Sequence, residues 1–79
     1  HIDERDRVIR ALSERPERIC GRRVIRVDEI DGVKFRFEDG SWLLFRLSGT
    51  EPVVRVYSEG KSPEEVDELL HEGRRILGL

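Results

Sequence analysis

The segment from Val33 to Leu47 constrains the fold more tightly than any other. Val33-Lys34-Phe35-Arg36-Phe37-Glu38 alternates apolar and charged residues, which predicts a strand with one buried face. Asp39-Gly40 is a turn signal. Ser41 to Leu47 then reads as a strand that is apolar on both faces. A link this short makes the two strands antiparallel neighbours. Their relative parity stays open. A two-residue turn pairs Phe37 with Trp42, whereas a bulged turn pairs Phe37 with Ser41.

The other elements fall into place around this hairpin. Arg22 to Ile30 is rich in β-branched residues and predicts a strand, closed by the turn signal Asp31-Gly32. Pro52 to Glu59 predicts another, with Val54 and Val56 on one side and Arg55 and Tyr57 on the other. Asp3 to Arg15 reads as a helix with Val8, Ile9 and Leu12 at helical spacing, stopped by Pro16. Cys20-Gly21 reads as loop. Ser62 is the expected N-cap of a last helix, with Pro63 at its first position and Glu65 completing a capping-box pattern. Val66, Leu69, Leu70, Ile76 and Leu77 form its apolar stripe, and Gly78 ends it. The expected fold is therefore α+β: a two-layer sandwich of a four-stranded antiparallel sheet with two helices on one face.

Composition limits the function classes. Seventy-nine residues make one small domain, and the absence of an initial methionine predicts a segment of a longer protein. The net charge of −2 with five aromatic residues gives no basic stripe or stacking platform for nucleic acid. The longest apolar run, Trp42 to Phe45, is far too short for a membrane span. The single cysteine, Cys20, excludes an internal disulfide framework, and a cytoplasmic location is expected. Many charges with no Asn, Gln or Met fit a thermophilic source. The heavy preference for Arg over Lys fits a GC-rich genome equally well.

The chemistry concentrates between the last two strands, in Arg46-Leu47-Ser48-Gly49-Thr50-Glu51-Pro52. Arg46 offers a planar fork of donors. Ser48 and Thr50 offer hydroxyls, and Gly49 lets successive backbone N–H groups converge on one anion. Arg55 lies close enough on the next strand to fold back toward the loop. An ordinary turn requires none of these flanking arginines. Other candidates are plainer. His1 and His71 lack ligand-spaced partners and read as solvated. Cys20 reads as a small apolar residue rather than an activated thiol. Glu64, Glu65, Asp67 and Glu68 read as a solvated helix face, and Arg22, Arg23 and Arg26 as surface. Asp28, Asp31 and Asp39 do not form a metal loop.

The run from Arg46 to Glu59 resembles the carboxy-terminal phosphate-binding loop of the α-D-phosphohexomutases, the phosphoglucomutase and phosphomannomutase family. That pattern is Arg-x-Ser-(Asn or Gly)-Thr-Glu-Pro followed by x-x-Arg-x-Tyr-x-Glu. Asp31-Gly32-Val33, Asp39-Gly40-Ser41-Trp42 and Ser62-Pro63-Glu64-Glu65 are also similar, so the resemblance covers roughly residues 24 to 78. It implies a fold like one repeat of the TATA-box-binding protein and the role of the fourth, C-terminal domain of a larger enzyme. Such an enzyme interconverts hexose 1-phosphate and hexose 6-phosphate through a bisphosphate intermediate. By resemblance, Arg46, Ser48, Gly49, Thr50 and Arg55 contact the substrate phosphate that is not being transferred, and Glu51 and Pro52 shape the loop. The resemblance implies no catalytic residue, metal ligand or cofactor within these residues. Phosphoserine and Mg²⁺ belong to other domains of the parent, so this chain alone is expected to be inactive. Gly49 stands where phosphomannomutase-type members often have Asn, and Tyr57 where phosphoglucosamine mutases are expected to have Met. The implied partners are a phosphosugar and the parent's other domains, with neither nucleic acid nor membrane. The competing reading is a protein-interaction or nucleic-acid-binding α+β module without enzymatic role, using the sheet face that bears Arg36, Arg46, Arg55 and Tyr57.

Overall fold

A computed structural model describes residues 4–14, 16–29, 32–47 and 54–78 of the chain. The elements run α1 (Glu4–Glu14), β1 (Arg18–Ile19), β2 (Arg22–Asp28), β3 (Val33–Phe37), β4 (Trp42–Leu47), β5 (Val54–Glu59) and α2 (Pro63–Leu77). The strands form one antiparallel meander in chain order. The α+β class expected from the sequence is therefore present, but the sheet has five strands rather than four.

The extra strand, Arg18–Ile19, comes from residues to which the sequence assigned no element, and the Cys20-Gly21 loop is the turn that joins it to β2. Cys20 and Gly21 both take positive φ, +57° and +75°. That is the backbone a two-residue hairpin turn needs to match strand twist. It sets Ile19 opposite Arg22 and Arg18 opposite Arg23. A two-residue strand shows no periodicity, and cysteine is an uncommon residue at positive φ, so neither signal was available in the sequence.

The central hairpin adopts the bulged alternative. The Phe37 N–H donates to the Ser41 carbonyl (2.9 Å), and the Gly40 N–H donates to the Phe37 carbonyl (3.0 Å). Glu38, Asp39 and Gly40 thus form a three-residue loop, closed by Gly40 at φ +93°. The Asp39 carboxylate accepts from both the backbone N–H and the hydroxyl of Ser41, which explains an aspartate at this corner. Phe37 and Ser41 consequently face inward, while Arg36 pairs with Trp42 on the opposite face.

That parity builds the core. Val33, Phe35, Phe37, Leu43, Phe45 and Val54 line the inner face, and Val8 of α1 with Leu69 and Leu77 of α2 complete one buried cluster. Phe35 and Phe45 meet edge to face, with centroids 6.1 Å apart, a favourable quadrupolar arrangement. Ile9, expected on the apolar stripe of α1, is instead 47% exposed. Gly73, which the apolar pattern does not mark, is buried in the C-terminal half of α2, between Leu69 and Leu77. A Cβ there would lie 2.7 Å from Val56 Cγ1, so its absence lets the helix approach the sheet.

The caps of α2 follow the sequence. Ser62 Oγ accepts from the Glu65 N–H (3.2 Å), and Gly78 at φ +84° donates its N–H to the Arg74 and Arg75 carbonyls. Such an N-cap contributes about 1 kcal/mol. The reciprocal arm of the expected capping box is replaced by another contact. Glu65 Oε1 lies 3.8 Å from Arg22 Nε, and its side chain packs against Gly60.

Candidate functional site

The outer face of the sheet, away from the helices, carries the candidate site. Antiparallel pairing places directly opposed residues on the same face. On this face Arg46 opposes Arg55, Leu44 opposes Tyr57, and Trp42 opposes Glu59. Lys34 lies beside Leu44 and places its ammonium 4.1 Å from the centroid of the Trp42 ring. Arg46 stands near the end of β4 and Arg55 near the start of β5, so both flank the connection between these strands. Ser48, Gly49, Thr50, Glu51 and Pro52 lie outside the described residues, as does Asp31.

Two like charges directly across a strand pair repel. Both Arg46 and Arg55 are exposed, and among the described residues neither pairs with a carboxylate. Arg26, Arg36 and Arg23 of the sheet do meet carboxylates. Asp28 accepts from Arg36 Nε (2.6 Å) and Arg26 Nε (2.7 Å), and Arg23 lies 3.7 Å from Glu38. Arginines also oppose one another at Arg18–Arg23 and Arg26–Arg36, but Arg46–Arg55 is the opposed pair in which neither member meets a carboxylate among the described residues.

Arg22 departs from the surface role expected of it. Its side chain is only 17% exposed and reaches Glu68 (2.8 Å), Asp39 (3.6 Å) and Glu65 (3.8 Å). It ties β2 to the β3–β4 turn and to the first turns of α2. Glu65 and Glu68 are therefore used, not merely solvated. The Cys20 thiol packs against the core and donates to Glu68 Oε1 (3.1 Å). Burial, then that hydrogen bond, pushes its pKa up, which is opposite to an activated nucleophile. His71 is exposed on α2. Among the described residues no three His, Cys, Asp or Glu side chains are grouped to hold a metal ion.

The Asp28 pair of ion contacts gives a pH prediction. The hydrogen bond from Arg36, with that from Arg26, holds the Asp28 carboxyl below the ordinary range. A carboxyl depressed in the folded state adds stability above its unfolded pKa, about 3.9. That contribution is lost as pH falls through the folded value. Thermal melts from pH 6 down to pH 2 should show Tm falling from about pH 4 downward, with a shallower fall in Asp28→Asn. Parallel profiles for the two proteins would remove Asp28 as a source of the acid loss.

Residues 4–76 match the family model described as phosphoglucomutase/phosphomannomutase, C-terminal domain. The chain belongs to this family. Among its relatives is a phosphoglucomutase/phosphomannomutase of Thermococcus kodakarensis, 39% identical over 68 residues, which cover 86% of this chain and 15% of the relative. A phosphopentomutase of the same organism is 40% identical over 62 residues, 78% of this chain and 14% of the relative. A phosphoglucosamine mutase of Methanocaldococcus jannaschii is 42% identical over 50 residues, 63% of this chain and 11% of the relative. The chain therefore spans a small part of the length of these mutases, and the match lies with a C-terminal domain of isomerases. The family assignment does not favour an interaction or nucleic-acid module. No helix among the described residues is long and apolar enough to cross a membrane.

Proposed function

We propose that this domain grips the non-transferred phosphate of a phosphosugar within a larger mutase of the phosphohexomutase type. The observation that carries this reading is the opposition of Arg46 and Arg55 across β4 and β5 without a carboxylate among the described residues. A phosphate dianion would relieve their repulsion and accept charge-assisted hydrogen bonds from both forks. Ser48 and Thr50 would add hydroxyls and Gly49 a backbone N–H, with Glu51 and Pro52 shaping the loop. In phosphoryl transfer a protein chiefly positions groups and neutralises charge. A firmly held distal phosphate is a handle whose binding energy orients the reacting end. When a hexose bisphosphate intermediate turns around, the same clamp takes whichever phosphate is then distal.

The transferring phosphoserine and its Mg²⁺ would belong to other domains of the parent enzyme. The sugar would be selected there too, since the relatives named for glucose, mannose, glucosamine and pentose phosphates share this domain. The 79-residue chain should therefore show no interconversion of glucose 1-phosphate and glucose 6-phosphate.

A nitrogen–proton correlation titration of the chain with inorganic phosphate, at fixed pH and ionic strength, tests the clamp. Binding is expected at roughly millimolar Kd, about −4 kcal/mol, because the enclosing domains that would exclude water are absent. The responding signals should be the Ser48, Gly49 and Thr50 amides and the Arg46 and Arg55 side chains. A response centred on Arg22 and Arg23, or none, rejects the assignment.

A further inference from the structure

The outer sheet face carries more positive charge than the arginine pair accounts for. Along β3, β4 and β5 its described positions hold Lys34, Arg36, Arg46 and Arg55 against one acid, Glu59. Arg26 and Asp28 of β2, on the same face, cancel each other. The face therefore has a surplus of three positive charges in a chain whose net charge is −2. Charge is segregated: the helices pack on the opposite face, and the acidic first turn of α2 lies with them.

Lys34 is the cation of this surplus that neither the clamp nor an ion pair uses. Its opposed neighbour on β2, Asp28, is taken by Arg36 (2.6 Å) and Arg26 (2.7 Å). Among the described residues Lys34 meets no carboxylate. Its ammonium instead lies 4.1 Å from the centroid of the Trp42 ring. An aromatic face restrains a cation without neutralising it. Trp42 opens β4, whereas Arg46 stands near its end, a separation of about 13 Å along the strand. The Lys34 ammonium is thus drawn away from the Arg46–Arg55 pair, beyond hydrogen-bond reach of an anion held there. It stays within Coulombic range, because the Debye length is about 10 Å at 0.1 M salt and longer below that.

We infer that Lys34, restrained by Trp42, is an electrostatic guide for the Arg46–Arg55 phosphate clamp. It raises the local concentration of dianionic phosphoesters over the outer face without touching them. The inference rests on the proposed clamp and adds to it a ligand-selecting residue that makes no contact. Such a guide reads the total charge of a ligand, so neutral sugars gain nothing from it.

The test uses this chain with inorganic phosphate above its second pKa, the Kd being read at ionic strengths of about 0.03 M and about 0.3 M. At the lower ionic strength Lys34→Gln should weaken binding about twofold, and Lys34→Glu, a change of two charge units, about fourfold. Both effects should shrink to within about 1.3-fold at the higher ionic strength. Lys34→Arg should bind like the unsubstituted chain. Glu59→Gln, which removes the opposing acid, should tighten low-salt binding by about 1.5-fold. Arg74→Gln, at an exposed position on α2, should change the Kd by less than about 1.3-fold. A weakening by Lys34→Gln that persists at high ionic strength would make Lys34 a direct contact or a structural support and overturn the guide. Unchanged binding at both ionic strengths would overturn it equally, with the clamp left intact. No phosphate response at Arg46 and Arg55 in the unsubstituted chain would instead overturn the clamp, and the guide with it.

Discussion

Arg46→Ala, introduced in a mutase that carries this domain, is expected to lower kcat/KM by about ten- to two-hundred-fold. The range follows from losing one charge-assisted hydrogen-bonding group, about 1.5–3 kcal/mol. Arg46→Lys should recover little, since an ammonium lacks the planar fork that engages two phosphate oxygens. Arg55→Ala should act in the same direction. The double substitution should cost less than the sum, because both side chains share one ligand. Stability should move the other way. Arg46 directly opposes Arg55, so removing one cation relieves a cross-strand repulsion. Steady-state kinetics beside thermal melts of the same variants separate the two effects. Retained kcat/KM, or a loss of kcat/KM that merely follows a loss of Tm, would deny Arg46 a role in holding phosphate.

The largest stability effect is expected at Gly32. Its φ is +140°, a backbone conformation that side chains rarely adopt. A Cβ built there would fall 2.2 Å from the Phe45 carbonyl oxygen and 3.0 Å from Arg46 Cα. Both are backbone atoms of β4 and cannot swing aside as a flexible side chain would. Gly32→Ala must therefore strain its own backbone and push β4 outward. The expected cost is about 3–5 kcal/mol, against about 4–12 kcal/mol for a whole domain of this size. Gly40→Ala is the matched control. Gly40 also has positive φ, +93°, but nothing lies within 4 Å of its Cβ position, so about 1–2 kcal/mol is expected there. Urea unfolding of both variants decides the point, and equal losses would show that the close approach to β4 is not the cause. Since the displaced segment carries Arg46, any Gly32→Ala protein that still folds should also bind phosphate more weakly.

The sequence by itself determined the elements whose causes are local. The end of α1 before Pro16, the Ser62 cap, the Gly78 stop and the alternation of β3 each follow from a residue acting on its own backbone or from a repeat of period two. It also carried the Arg46 to Glu59 motif, and with it the family, because a long pattern of specific residues survives without knowledge of their contacts. Tertiary structure decided what depends on distant partners. Whether Trp42 or Ser41 faced Phe37 turned on the loop geometry at Gly40, and that single step set every side chain of β4 inward or outward. The fifth strand arose because two short segments paired across Cys20 and Gly21. Arg22 became a half-buried tie because α2 brings Glu65 and Glu68 against it. Gly32 sits in a turn signal and Gly73 inside a helical repeat, but neither context reveals a close approach. Only the fold shows that one abuts the β4 backbone while the other lets a helix reach Val56. Chemistry written in consecutive residues is legible in the chain, whereas register and close approach are properties of pairs of segments and exist only once the chain has folded.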